Sequence, residues 1–418
     1  MEVRIPLQEG ARPPAPPAAG GEAKRAPGSP AEPPDPYRIL FPMGVAYGIA
    51  GAALWPLHAL GLIPYPAQLH WTLMAQGFQH CFILGFLLTA MPSFMHAEHC
   101  RRSELVIAVV AMAGFGVAAV LGWAAATQAC YLATLALIVA MAFRRRRQGA
   151  ASPPVEFSLV AFGIALGAVG SAMIGGAALG LFDEPAPRLG IRLVWMGMIL
   201  SAVLGVGGLL VPTFSAMREP LEIPGIARPH ERRPRRILYG VVALLLLCSL
   251  ILEGAGHAAL GAILRAATAS GVLLLVWKLF RRPGRADLLS YAIWAAGWSI
   301  FAGLWLMAFF PSHPLLGAHF VLIGGFGLLS AGIGTRVVVR HGGHPLPEEG
   351  RVLRPAVIAL LAATLAARAA GELAPGPRLT LLAASALAWI AAWTVWAVGA
   401  APRIRRRRAP RADAPRTA

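Results

Sequence analysis

The sequence predicts an all-α membrane protein, a polytopic bundle of about twelve transmembrane helices with the N- and C-termini cytoplasmic. Three observations support this prediction. Hydrophobic residues make up 57% of the 418 residues and charged residues only 13%. Twelve apolar stretches are long enough to cross the hydrocarbon core, which takes about 20 residues per helix. Lysine and arginine gather in alternate loops, as the positive-inside rule requires of cytoplasmic segments.

The apolar stretches run from residue 39 to residue 401. Inside lipid the backbone must satisfy its own hydrogen bonds, so each stretch is predicted to form a helix. The third and fourth stretches are divided only at Gly122 and Trp123. The predicted spans are residues 39–60, 71–95, 105–121, 124–143, 157–180, 189–217, 237–252, 257–280, 288–310, 315–339, 352–371 and 379–401.

The positive charges of the loops between the spans test the number of spans independently. With the N-terminus inside, the cytoplasmic segments carry the basic runs and most of the 37 lysines and arginines. The expected external loops hold only Arg188 and Arg378. A missed or additional span would scramble this alternation. The basic cytoplasmic runs are residues 101–102, 144–147, 232–236, 281–282 and 405–408.

Composition divides the chain into three parts. Residues 1–36 are rich in proline, alanine, glycine and glutamate, which predicts a disordered cytoplasmic tail. Residues 37–402 form the membrane domain, and residues 403–418 form a basic cytoplasmic tail. The net charge of +18 is spread over many short loops, so we assign it to topology and contact with anionic lipid. Nucleic-acid binding is therefore not expected, and the bilayer is the expected partner.

Similar sequence elements in the second, sixth and tenth spans suggest an internal repeat. Pro92 and Pro212 stand 120 residues apart at the same ends of the second and sixth spans, each followed by a hydroxyl residue and phenylalanine. The tenth span lies four helices further on and is also rich in glycine. Repeated four-helix units are one interpretation, since internal repeats are common in such proteins. Ordinary proline kinking is the other.

Histidine is the informative residue, because imidazole is the usual protein ligand of haem iron and copper. His70 opens the second span and His319 lies one turn inside the tenth, so both fall at similar depth on the expected outer side. A histidine near a helix end can equally well hydrogen-bond in the wet interface. His80 lies near mid-membrane, where a polar ring is costly and usually functional.

Two further features suggest ligand sites. His341 and His344 flank two glycines on the expected cytoplasmic side and could offer ligands to a second metal. Arg265 lies deep in the eighth span, where an arginine must find an anionic partner. That partner is either a haem propionate or anionic substrate, or Glu253 in a structural pair. None of the four cysteines forms a CxxC pair, so no disulfide framework or structural zinc site is implied.

The tenth span and the turn that follows it carry a resemblance. It has a histidine, spaced glycines, a Thr-Arg pair and a turn that begins with histidine and ends in Pro-Leu. This pattern resembles the NnrS family, and its spacing is kept without a gap. Two other segments are similar to the end of the family's second span and to its Gly-Arg-Val-Ile-Pro-x-Phe element. The segments are residues 319–327, 335–336, 341–346, 85–90 and 208–214.

The resemblance implies a bacterial inner-membrane protein that contains haem and copper and takes part in the response to nitric oxide. His70 and His319 match family histidines and are the leading ligand candidates, with His80 third. We predict that the second and tenth spans pack through their glycines, Gly77 and Gly85 among them, and place the two leading imidazoles across a cleft within about 10 Å.

The sequence departs from the family at several positions. The family often begins its second span with His-Ala-His-Glu-Met, where residues 70–74 read His-Trp-Thr-Leu-Met. Leu209 and His344 stand where the family has arginine, and Trp294 stands in place of a histidine of the ninth span. These changes affect ligands rather than the fold.

Two function hypotheses follow. The first is a haem-binding and copper-binding protein of the nitric-oxide response. The second is a secondary transporter, in which Arg265 and His80 would bind a small or anionic substrate or relay protons. The sequence shows no nucleotide-binding loop and no triad-like nucleophile pattern, so it assigns no enzymatic reaction.

Overall fold

The computed structural model describes residues 35–215, 229–374 and 376–404, with the side chains of residues 229–232 excepted. Twelve helices in these ranges are long and apolar enough to cross a membrane, which confirms the predicted number and makes the chain a multi-pass membrane protein. The predicted tails, 1–36 and 403–418, lie almost wholly outside the described residues. The helices are α1 Tyr37–Ala59, α2 Ala67–Phe94, α3 Arg102–Val120, α4 Ala124–Arg147, α5 Phe157–Ala178, α6 Ala186–Phe214, α7 Arg233–Gly254, α8 Ala258–Val276, α9 Leu288–Phe309, α10 Pro314–His341, α11 Pro355–Leu373 and α12 Arg378–Ile404.

Local sequence signals explain where several helices begin and end. Gly122 adopts a positive φ of 74°, a conformation that glycine reaches without strain, and this turn separates α3 from α4. The side chain of Asp287 accepts a hydrogen bond from the backbone N–H of Ser290 at 2.8 Å and caps α9. The last helix continues to Ile404, three residues beyond the predicted end of the span at residue 401.

Helices α2, α6 and α10 form the centre of the bundle. Their most apolar windows are 89%, 83% and 67% buried by protein, whereas the other nine helices are 28% to 50% buried. These three are also the longest of the twelve, at 28 or 29 residues. The outer helices therefore present their remaining apolar surface to lipid, and the inner three are where a protein-enclosed site can form.

The described helices fall into three four-helix units, α1–α4, α5–α8 and α9–α12, in agreement with the repeat interpretation. The second helix of each unit contains a π-helical segment at the same position, and a shorter one lies at the end of α8. Helix α4 packs on α5, α8 on α9, and α12 returns to pack on α1. The three inner segments are Thr72–Gln79, Leu193–Ile199 and Phe320–Gly327.

Glycines inside these segments pack against the first helix of their own unit. A Cβ on Gly77 would lie 2.9 Å from Tyr47, and one on Gly197 would lie 2.9 Å from Leu166. Gly325 holds the same place against α9 in the third unit. The absence of a side chain thus lets each inner helix approach its partner closely.

The predicted packing of α2 against α10 is correct in part. The two helices are neighbours, because Gln79 donates a hydrogen bond to Ser330 at 3.1 Å and a Cβ on Gly334 would lie 3.1 Å from Phe82. The predicted glycine contact is wrong, since Gly77 and Gly85 of α2 face α1 instead. Polar and aromatic side chains, rather than the α2 glycines, join this pair.

Candidate functional site

A cavity of about 330 Å³ lies at the end of the bundle where α2, α6 and α10 begin. We call it the histidine cavity, because His70 and His319 both line it. Its wall is largely aromatic and aliphatic, with a few polar groups, as is usual for cofactor and ligand sites of roughly 300–1,000 Å³. The other lining residues used below are Trp55, Trp71, Phe78, Gln79, Thr364, Arg368, Arg378, Ser385 and Trp389.

His70 is held in one orientation by the backbone of α1. Its Nδ1–H donates to the carbonyl oxygen of Gly51 at 2.8 Å, and its ring meets the ring of Trp55 edge-on with centroids 5.5 Å apart. A donor at Nδ1 leaves Nε2 as the nitrogen with a free lone pair. The side chain is half-buried, so that lone pair is available on the cavity side.

His319 has the same tautomer for the same reason. Its Nδ1–H donates to the carbonyl oxygen of Leu315 at 2.7 Å, one turn earlier in α10. Its Nε2 accepts a hydrogen bond from Nε of Arg368 at 3.3 Å. Imidazoles whose Nδ1–H is fixed by a backbone carbonyl are the form in which histidine ligates metals through Nε2. The structure brings His70 and His319 to one cavity as predicted, and their ligand role remains a prediction.

Two arginines that the sequence analysis did not assign to a site line the histidine cavity. Arg368 of α11 lines the histidine cavity, is only 8% exposed, and contacts both His319 and Glu372. Arg378 lines the same cavity at the start of α12. One carboxylate serves two guanidinium groups, since Glu372 lies 3.3 Å from Arg368 and 3.7 Å from Arg378. This end of the cavity therefore carries an excess positive charge suited to an anionic group.

Arg265 does not line the histidine cavity. Its guanidinium makes two contacts with the carboxylate of Glu253, at 2.6 and 3.2 Å, and its side chain is 1% exposed. Of the two partners that the sequence left open, the structure shows the structural one. The propionate or substrate role that the sequence left open for Arg265 has no support from its position.

His80 also faces away from the histidine cavity, toward α4. Its ring packs on Tyr131 with centroids 4.6 Å apart, and Nε2 lies 2.7 Å from Oγ1 of Thr134. That hydroxyl gives its own hydrogen to the carbonyl of Tyr131 at 2.6 Å, so Nε2–H of His80 is the donor. The structure therefore separates His80 from the pair formed by His70 and His319.

His341 and His344 lie at the opposite end of α10. The ring of His341 packs near Tyr37 at 6.0 Å, and Gly343 between the histidines has a positive φ of 71° that shapes the turn. Within the described residues, no group of three or more histidine, cysteine, aspartate or glutamate side chains is placed to hold a metal ion. The turn thus offers two imidazoles and not the ligand set of a complete copper site.

Comparison with curated protein sequences returns no match. The family described as NnrS protein matches residues 34–408, which include all twelve helices and every residue of the histidine cavity. The protein therefore belongs to the NnrS family.

Proposed function

We propose that this protein binds haem between His70 and His319 in the bacterial inner membrane, with both termini cytoplasmic, and takes part in the response to nitric oxide. One observation supports the haem site above all others. Two imidazoles from different inner helices line one cavity, and each has its Nδ1–H fixed by a backbone carbonyl. The nitric-oxide role follows from membership of the family that the sequence resembles.

The donor set suits haem better than a bare metal ion. A protein-bound zinc or copper ion takes about four ligands, and this cavity offers two imidazoles. A haem iron already has its porphyrin nitrogens and takes axial ligands from the protein, for which histidine is common. When bound, such a group supplies one-electron transfer and a site for diatomic ligands.

The remaining cavity residues would position the cofactor. Trp71, Phe78 and Trp389 offer flat apolar surface to a macrocycle. Arg368 and Arg378 would donate hydrogen bonds to its carboxylates, because charge-assisted bonds from guanidinium to carboxylate are among the strong hydrogen bonds. Arg368 now donates to Nε2 of His319, so ligation by His319 requires Arg368 to turn toward the carboxylate.

The test is a spectrum of the full-length protein purified in detergent. We expect a Soret band, iron in a one-to-one ratio with the chain, and the spectroscopic signature of two imidazole ligands. His70→Ala and His319→Ala should each lose that signature. His257→Ala is the matched control, because His257 is exposed between α7 and α8 and lies outside the cavity.

Two outcomes would contradict the proposal. Wild-type protein with neither a Soret band nor iron is not a haem protein. A spectrum unchanged in both His70→Ala and His319→Ala would place the haem elsewhere. The physiological role is tested separately: a bacterial strain that lacks the protein should grow more slowly than its parent under a nitric-oxide donor, and the wild-type gene should restore growth.

The transporter hypothesis assigned substrate to Arg265 and His80. Both are engaged by protein groups away from the histidine cavity, Arg265 by Glu253 and His80 by Thr134. No observation on these residues favours that hypothesis over the haem site.

A further inference from the structure

A second, smaller cavity lies where the three inner helices meet. We call it the central cavity; its volume is about 70 Å³ and its wall comes mainly from α2, α6 and α10. Residues 120 positions apart line it from α2 and α6, as in Ile83 with Val203 and Phe86 with Val206. Gly334 of α10 lines the cavity at the position equivalent to Phe86 and Val206. The repeat of four-helix units thus builds the cavity from equivalent positions.

The wall of the central cavity offers little to water. Gln79 and Ser330 are its two polar side chains, and both are buried. They satisfy each other, since Gln79 Nε2 donates to Ser330 Oγ at 3.1 Å and Oε1 of Gln79 lies 3.4 Å from that hydroxyl. A buried water needs two to four polar partners, and apolar cavities without them stay dry. The central cavity therefore gives a water molecule only one polar pair to bind, and that pair is already satisfied.

The volume limits what can occupy the central cavity. Apolar protein cavities of about 150 Å³ take up benzene or xenon, and roughly 10–15 Å³ of such volume already accommodates one water-sized molecule. A cavity of about 70 Å³ therefore has room for a molecule of a few atoms, smaller than benzene. No charged side chain lines it, so burial of an ion there would be strongly unfavourable.

Gln79 connects the two cavities, because it lines both of them. Its backbone lies at the end of the π-helical segment of α2, and its amide reaches across to α10. From the fit of size, polarity and position, we propose that the central cavity is a docking site for a small uncharged gas. Gln79, which is bonded to Ser330, stands between this site and the histidine cavity.

The choice of nitric oxide as the natural occupant rests on the proposed function. Occupancy by an apolar gas atom does not, because it depends on volume and polarity alone. The central cavity would hold the molecule beside the haem site, and a change in the Gln79–Ser330 pair would let it pass.

Xenon tests the docking site directly. Full-length protein, with or without haem, is titrated with xenon and followed by ¹²⁹Xe NMR, and crystals are exposed to xenon gas. We expect one saturable site, with density beside Val203, Val206 and Ile333. Val203→Phe should abolish it, because a phenyl ring fills the cavity. Ile83→Ala removes three carbon atoms from the wall and should retain the site with higher occupancy.

Val169→Phe is the matched control, since Val169 lies on α5 with 52% of its surface exposed, outside the cavity. It should bind xenon like the wild type. A wild-type protein without a saturable xenon site, or a Val203→Phe protein that retains it, would overturn the proposal. If Val203→Phe does not fold, xenon density in the wild-type and Ile83→Ala crystals decides the question.

A second measurement tests the route to the histidine cavity. In haem-loaded protein, Val203→Phe should slow the spectral response to nitric oxide several-fold relative to Val169→Phe. Equal rates would remove the central cavity from the path. If no haem is bound, the proposed function fails while the xenon result stands by itself, so the two failures are distinguishable.

Discussion

The ion pair between Arg265 and Glu253 gives the sharpest prediction about the membrane interior. Their atoms approach to 2.6 and 3.2 Å, and the two side chains are 1% and 11% exposed. At about 3 Å and an effective dielectric constant near 20, the attraction is about 5–6 kcal/mol, and desolvation of both groups offsets part of it. Breaking such a pair by removing one partner typically costs about 3–5 kcal/mol.

We expect Glu253→Gln to lower the free energy of unfolding by about 3–5 kcal/mol, because it leaves the guanidinium of Arg265 buried without a countercharge. The double variant Arg265→Met with Glu253→Leu removes both charges and should return to within about 1 kcal/mol of the wild type, or exceed it. Unfolding is followed by titration with sodium dodecyl sulfate from mixed micelles, with helix content as the signal.

The haem spectrum of the same variants tests the role of Arg265. In a structural pair, the folded double variant keeps the Soret band of the wild type. Loss of that band from well-folded double variant would return Arg265 to the cofactor site and refute the assignment made here. A change below about 1 kcal/mol in Glu253→Gln would refute the energetic argument, since surface ion pairs are of that size.

Two further predictions concern packing and pH. Gly207→Ala should cost about 1–3 kcal/mol of stability in a thermal-unfolding assay, because its Cβ would lie 2.0 Å from the fully buried ring of Trp277. The control Gly271→Ala, whose Cβ would have nothing within 4 Å, should be neutral or stabilising in the same assay. Hydrogen bonds from Arg101 and a second arginine lower the pKa of Glu98 from 4.5 to about 2. This carboxylate therefore contributes stability above pH 4.5 that is lost as the pH falls toward 2. Glu98→Gln should flatten the acid limb of a curve of unfolding free energy against pH. An unchanged acid limb would contradict the assignment.

Much of the fold followed from the sequence because a bilayer imposes simple rules. Length and apolarity located all twelve helices, and the spacing of Pro92 and Pro212 located the repeat. The family was identifiable from α10 and the turn after it, which carry one motif without a gap. His70 and His319 could be paired in advance, since helices of equal direction place residues of equal position at equal depth.

Other features were decided by the tertiary structure. Membrane helices are apolar on all sides, so their sequences carry little signal for which face meets protein. The sequence accordingly could not predict that His80 faces α4 or that Gly77 faces α1. It also singled out Arg265 by depth alone, although Arg265 meets Glu253 and Arg368 is the arginine that meets His319.

The sequence by itself determined that this chain is a twelve-helix membrane protein of the NnrS family with histidines at matching depths on α2 and α10. Only the tertiary structure decided which helices are central, which arginine joins the histidines, and that Gln79 stands between two cavities. The physical reason is the difference between the two kinds of information. Depth along a helix is written in the chain as a count of residues, whereas rotation about its axis is set by packing against neighbours.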